Sequence, residues 1–397
     1  MGDSPVVRSL ETLPRRFRGD APHVSARFRV QVGRAVRDVV VTDGDCEVVK
    51  SNGVRPDTEI STDADTWFEM DQGRLSGIEA FAQRRLIVRG SIEKSLLFEP
   101  LFERPSAGAL EHTVEHVGRR GGRICALFAG DPAAEPLILI HGLGATKSSW
   151  LPVVPALAQR YRVIVVDLPG FGSSSKPRGA YDAQWFARRL FTFMDQLDID
   201  STLIAGNSMG GRVAMEMAMT DANRVRAISC LCPATAFSRR PALRLVKLLR
   251  PEFAFATSRL PRGRVLDGMR QLFADPDRVE PEWFEAAVDD FLAIWRSPRA
   301  RMAFSAAARH LYLEEPDGDE GFWARLTAMT TPALYIYGTR DVLISARSGQ
   351  RVSRALPNSK VVVWKDCGHV PQIEFPERTI DLLTGFFAQL SQSRKAG

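Results

Sequence analysis

Apolar and polar residues alternate in the early chain. Phe28, Val30 and Val32 are separated by Arg29 and Gln31, a period of two that predicts a strand with one apolar face. Val39–Val41, the turn Asp43-Gly44-Asp45 and then Cys46–Val49 predict a hairpin. Thr62 or Asp63 stands where a helix cap belongs, ahead of Trp67, Phe68 and Met70. A second short helix carries Ile78 and Phe81. The strand Leu86–Val88 ends at Arg89-Gly90, and Ile92 to Phe102 predicts a final apolar helix.

The rhythm changes near Pro105, Ser106 and Gly108, a small-residue stretch that reads as a linker over 105–112. Thr113–Val117 and Ile124–Phe128 predict two strands around a glycine-rich turn. Leu137–Ile140, Val163–Val166, Thr202–Ala205 and Ala333–Tyr337 are short apolar runs of the kind buried on both faces of a parallel sheet. Between Cys232 and Met329 the strand rhythm gives way to helical patterns. The expected organisation is a small α+β domain at 1–104, then an α/β domain at 113–392 with a helical insertion at about 233–329.

Composition narrows the class. The 397 residues are 45% hydrophobic and 25% charged, as in ordinary globular chains, and no apolar run reaches the ~18 residues of a membrane span. The start, Met1 to Gly19, lacks a secretory apolar stretch, so a cytoplasmic protein is expected. The net charge of +6, with Arg and Asp intermixed, excludes the concentrated basic stripe of a nucleic-acid binder and supports only weak attraction to anionic lipid. The five cysteines are odd in number and scattered, which predicts reduced thiols rather than a disulfide or zinc framework. No metal or organic cofactor is expected.

The first segment resembles the sterol carrier protein 2 family over roughly residues 8–104. Ile60 through Trp67, and Ala80-Phe81 through Leu86-Ile87-Val88-Arg89-Gly90, carry the likeness, and Leu13–Phe17 is similar to that family's opening helix. The resemblance implies a sheet-and-helix shell around an apolar tunnel for a fatty acyl or sterol-like ligand. Taken singly, Trp67, Phe68, Phe81 and Phe98 are accounted for as core.

The chemistry lies after residue 111. Gly206-Asn207-Ser208-Met209-Gly210, between a strand and a helical stretch, has the form of a nucleophile elbow. A serine hydroxyl needs a base to take its proton. Of the six histidines, His369 sits on a loop just beyond the strand Val361–Trp364. His141 belongs to the loop His141-Gly142-Leu143-Gly144, where a supporting hydrogen bond is the expected role, and His23 lies in the first segment. Asp341, after the strand Ala333–Tyr337, is the expected partner of His369, with Asp366 as its rival. The order Ser208, Asp341, His369 is that of an α/β-hydrolase. Backbone N–H groups of Leu143 and Met209 are the candidate oxyanion donors.

Residues 111–392 resemble the α/β-hydrolase superfamily, with His141–Lys147 and the Asn207–Gly210 elbow most similar to monoacylglycerol-lipase and esterase members. The elbow is shared with C–C bond hydrolases of aromatic degradation, which tend to carry Trp after the histidine where this chain has Val370. The resemblance implies a serine esterase or lipase acting on lipophilic small-molecule esters. Alternatives are a C–C hydrolase, an acyl thioesterase or acyltransferase, and a non-catalytic lipid-binding protein. From Arg239 to Arg264 there are eight basic residues and one acid, Glu252. That stretch reads as a solvated helix face, with contact to anionic lipid or an acidic acyl carrier as the other reading.

Overall fold

The computed structural model describes residues 4–19, 24–119, 121–235 and 260–395. His23 and most of the basic stretch 239–264 lie outside the described residues. The chain forms two compact units, one of Met1–Val114 with Val279–Asp290, the other of Glu115–Arg278 with Phe291–Gly397.

In the first unit, β1 (Ala26–Val32), β2 (Ala35–Thr42), β3 (Asp45–Lys50), β4 (Thr58–Thr62) and β5 (Leu86–Gly90) form one sheet in the order β3-β2-β1-β4-β5. The alternation read from Phe28 to Val32 places Phe28, Val30 and Val32 in the core. The β2–β3 turn holds Asp43 at φ 52° and Gly44 at φ 89°, the left-handed pair that a tight hairpin requires. Helices α1 (Pro5–Glu11), α2 (Ala64–Asp71), α3 (Gly77–Ala82) and α4 (Ile92–Phe98) cover the sheet. Asp63 caps α2 through the Thr66 N–H, and Ser76 and Glu79 cap α3 reciprocally.

Two expected helices are interrupted, the opening one implied by the resemblance and the final one read from its apolar run, both for the same reason. Leu13–Arg16 is a 3-10 turn following α1, and α4 yields at Glu99–Leu101 to another 3-10 turn. Pro14 and Pro100 have no N–H to donate to the fourth residue back. The Leu96 carbonyl, which residue 100 would otherwise have bonded, instead accepts from His112 Nε2 at 3.1 Å. The segment 279–290 brings Asp290 to the start of α4, where its carboxylate accepts from Ser91 Oγ at 2.7 Å and the Glu93 N–H at 3.2 Å. Nothing in the local pattern of residues 279–290 announces that packing.

Aromatic rings pack together inside this unit. Phe28 and Phe98, and Phe98 and Phe102, pack at 5.2 Å between ring centroids. A partly open pocket of about 30 Å³ lies between the apolar Leu13, Trp67, Met70 and Phe102 and the charged Arg16, Asp71, Glu99 and Arg104. Beside it, burial pushes the Glu99 carboxyl up to about 7 despite Arg104, and burial pulls His112 down to about 4.

The signs of these two shifts oppose. Between about pH 4.5 and 7 the folded state keeps a proton on Glu99 that the unfolded chain has lost, so this group makes stability fall as pH rises. Between about pH 4 and 6.5 the unfolded chain binds a proton on His112 that the folded state lacks, so stability rises with pH. Glu99 Oε2 lies 3.5 Å from His112 Nδ1, and Glu99→Gln removes the falling slope while keeping a neutral acceptor there. The unfolding midpoint of the chain should therefore climb more steeply from pH 4 to 6.5 than in the wild type. Chemical denaturation across that range checks it; superimposable profiles would contradict it.

The second unit contains the rest of the strands: β6 (His112–Val117), which begins at the boundary, β7 (Ile124–Ala129), β8 (Pro136–Ile140), β9 (Arg162–Val166), β10 (Thr202–Asn207), β11 (Val225–Leu231), β12 (Ala333–Gly338) and β13 (Lys360–Trp364). Their order is β13-β12-β11-β10-β8-β9-β7-β6. Strands β8 to β13 run parallel, whereas β7 is antiparallel to β9. Every residue of β10 and β12 is buried, which accounts for their continuous apolar runs.

The helices, in chain order, are α5 (Val154–Ala158), α6 (Ala183–Asp195), α7 (Met209–Thr220), α8 (Arg262–Arg270), α9 (Pro281–Trp295), α10 (Pro298–Leu313), α11 (Phe322–Thr327), α12 (Arg347–Ala355), α13 (Pro371–Glu374) and α14 (Pro376–Lys395). Residues up to Asp290 of α9 belong to the first unit. From β8 the chain moves to β9 on one side and then to β10 on the other. The crevice beyond the carboxyl ends of β8 and β10 is therefore the topological switch point, where such sheets bind ligands. Among the described residues no helix is long and apolar enough to cross a membrane.

Candidate active site

Ser208 occupies the turn between β10 and α7 with φ 54° and ψ −114°, a strained conformation for a residue with a side chain. The neighbouring glycines permit that turn. A Cβ on Gly206 would lie 2.3 Å from the Gly210 carbonyl oxygen, and one on Gly210 would lie 2.2 Å from that of Ile140. The backbone is pinned by Ser208 N–H to Leu231 O at 2.9 Å, while Ser208 O accepts from Arg212 N–H at 3.1 Å and Ala234 N–H at 3.0 Å.

His369 is almost wholly buried, and its Nδ1 lies 2.8 Å from Asp341 Oδ2. The other Asp341 oxygen accepts from the Leu343 and Ile344 N–H groups, each at 2.8 Å. With Nδ1–H given to the carboxylate, Nε2 is left as the acceptor. Asp366, the rival acid, is exposed, and its backbone N–H bonds Thr339 Oγ1 instead. Asn207 ties the elbow to the histidine loop, since its Nδ2 donates to Leu231 O and, at 2.9 Å, to His369 O. Glu374 secures the same loop by accepting the Gly368 N–H at 2.7 Å and those of Ala274 and Asp275 at 3.0 Å. Sequence reasoning missed Glu374, whose signal was an acid shortly after His369, following Val370-Pro371-Gln372-Ile373.

The loop after β8 runs over the elbow: a Cβ on Gly142 would lie 3.3 Å from the Ser208 Cβ. Leu143 is half-buried, and Met209, at the first position of α7, is buried. The N–H of that first position has no partner within its own helix, which suits it to an external acceptor. His141 is a strut: Nδ1 lies 2.7 Å from Gly142 O, and Nε2 accepts the Leu168 N–H at 3.0 Å. Burial lowers its pKa, which keeps it neutral.

A fully buried ion pair, absent from the sequence reading, holds this loop. Lys147 Nζ lies 2.8 Å from Asp167 Oδ2, and the Lys147 N–H bonds Asp167 Oδ1 at the same distance. Burial pushes the Asp167 carboxyl up, but Lys147 and His141 outweigh it and hold the group below the usual range. Lys147→Met would strand that charge. The expected cost is about 3–5 kcal/mol, measurable by chemical denaturation.

Cys232 Sγ, an Asp341 carboxylate oxygen and a His369 ring nitrogen lie within 4.8 Å of one another. Burial, with Asp341 and Cys367 adding to it, raises the Cys232 thiol well above its ordinary value. At neutral pH it keeps its proton, so it faces the carboxylate as a thiol rather than as a thiolate ligand.

Residues 135–376 match the family model described as the alpha/beta hydrolase fold. The chain belongs to the α/β-hydrolase family. Residues 19–103 match the SCP-2 sterol transfer family, so this hydrolase carries an N-terminal domain of that family. It is 29% identical over 263 residues to a pimeloyl-[acyl-carrier protein] methyl ester esterase of Aeromonas hydrophila, covering 63% of this chain and 94% of the relative. It is 28% identical over 267 residues to the 2-hydroxymuconate semialdehyde hydrolase of a Pseudomonas species, covering 65% and 88%. Among solved structures, a bacterial membrane phospholipase A superposes with a TM-score of 0.58 at 27% identity, covering 71% of this hydrolase and 87% of that chain.

Proposed function

We propose that this hydrolase cleaves lipophilic carboxylic esters through an acyl-enzyme on Ser208. The observation that carries the reading is the His369–Asp341 contact at 2.8 Å in a chain whose Ser208 stands on a strained strand-to-helix turn. Ser208 Oγ attacks the acyl carbonyl while His369 Nε2 takes its proton, and Asp341 holds the ring and stabilises the imidazolium. The Leu143 and Met209 N–H groups meet the developing oxyanion. His369 then protonates the leaving alcohol, and water, activated by the same base, releases the acid. These steps need no metal or organic cofactor. We take the enzyme to act in the cytoplasm.

The esterase relative and the phospholipase neighbour support ester cleavage. A second reading, C–C bond hydrolysis by the same residues, is favoured by the likeness to the 2-hydroxymuconate semialdehyde hydrolase. Hydrolysis of p-nitrophenyl esters from acetate to palmitate, set beside turnover of a vinylogous diketone, separates the two. Turnover of the diketone alone would replace the ester reading.

For the N-terminal domain we infer a fatty acyl or sterol-like ligand, on the family match at 19–103. Titrating the full chain with a fluorescent fatty acid tests this, and absence of saturable binding would remove lipid from the domain's role.

A further inference from the structure

Three rings of the second unit gather beside the loop that crosses the nucleophile. Phe291 and Trp295, one turn apart at the end of α9, stack with centroids 5.6 Å apart and planes 18° from parallel. Phe304 of α10 sets its edge against both, at 82° to each and at 6.3 and 5.4 Å. All three are half-buried. They reach the site through Gly144, where a Cβ would lie 3.0 Å from Phe304 Cε2 and 3.2 Å from Phe291 Cε2. Gly142, two residues earlier, is the residue whose Cβ would lie 3.3 Å from that of Ser208.

The rings are held in place from both ends of α10. At its start, the buried Arg301 donates to the Trp295 and Arg296 carbonyls at 2.7 and 3.1 Å, which closes the corner with α9. Just past its end, Glu314 takes the Arg212 guanidinium, with Nε 2.9 Å from each carboxylate oxygen. Arg212 lies one turn beyond Ser208 on α7 and is further fixed by Glu216 at 2.8 Å. Glu216 is gripped in turn by Arg325. The far end of α10, the helix that carries Phe304, is thus tied to α7 by charge-assisted hydrogen bonds.

We propose that Phe291, Trp295 and Phe304 form the wall against which the acyl group of the substrate lies, and that this wall selects planar aromatic acyl groups over linear alkyl ones. The inference rests on the ester-hydrolase reading and deepens it. Two stacked rings with a third edge-on present both a face and edges to an incoming ring, the offset and edge-to-face arrangements that aromatic pairs prefer. A flexible alkyl chain gains no such term and loses more rotamer freedom on binding. A rigid wall can discriminate shape; a loose one would adapt to both.

The test compares kcat/KM for p-nitrophenyl phenylacetate with that for p-nitrophenyl octanoate, in wild type, Phe304→Leu and Trp295→Leu. Leucine keeps the site apolar and removes only the ring. The phenylacetate-to-octanoate ratio should exceed one in the wild type and fall about three- to tenfold in each variant, since an aromatic pair contributes ~0.5–1.5 kcal/mol beyond its area. The second measurement is calorimetric binding of phenylacetate and octanoate to Ser208→Ala, with and without Phe304→Leu. It needs no turnover, so it decides the inference even if the ester reading fails. A wild-type preference for the alkyl chain, or ratios unmoved by both leucine variants, would overturn the proposal.

Discussion

Ser208→Ala should lower kcat on p-nitrophenyl esters by on the order of 10⁶ while leaving KM and the unfolding midpoint nearly unchanged. Losing the nucleophile in another serine hydrolase costs about that much in turnover, because base and acid then have nothing to activate. Alanine keeps the Cβ, so the turn at φ 54° is no more strained than before, and the 2.9 Å bond from the residue 208 N–H to Leu231 O is made by backbone. A variant that kept a tenth of wild-type activity would remove Ser208 from the mechanism and, with it, the acyl-enzyme.

Asp341→Asn is the next largest effect. Its Oδ1 can still accept the Leu343 and Ile344 N–H groups, so the turn after β12 should hold. The amide nitrogen would then face His369 Nδ1, where the carboxylate oxygen now sits at 2.8 Å. An amide N–H there requires Nδ1 as acceptor, which moves the ring proton to Nε2 and leaves no base towards Ser208. In a serine protease the equivalent change costs about 10⁴ in kcat with the geometry intact. Steady-state kinetics should show the loss in kcat rather than KM, and a loss confined to KM would mean that Asp341 serves binding instead.

Much of this arrangement was legible in the sequence because it is local. A strand buried on both faces leaves a continuous apolar run, and a turn that admits only glycine leaves glycines at fixed spacing. Hence β8, β9, β10 and β12, and the elbow at Gly206–Gly210, could be read directly. The same locality explains where reading faltered. Pro100 ends a helix that its apolar pattern would have continued, through a hydrogen bond it cannot make.

Contacts between distant residues left no trace. Lys147 and Asp167 look like surface charges in the chain, yet both are fully buried against each other. Arg212 and Glu314 are 102 positions apart, and only the tertiary fold brings the residue after α10 to the guanidinium on α7. The aromatic wall joins α9 and α10 to a glycine some 150 positions earlier, and a glycine carries no side-chain signal of what lies against it. In the first unit, how Phe28, Phe98 and Phe102 pack against one another depends on three-dimensional packing and not on local pattern. Periodicity and steric necessity act within a few residues and are written in the sequence; ion pairing, ring packing and cavity size depend on which surfaces folding brings into contact, and those only the tertiary structure decided.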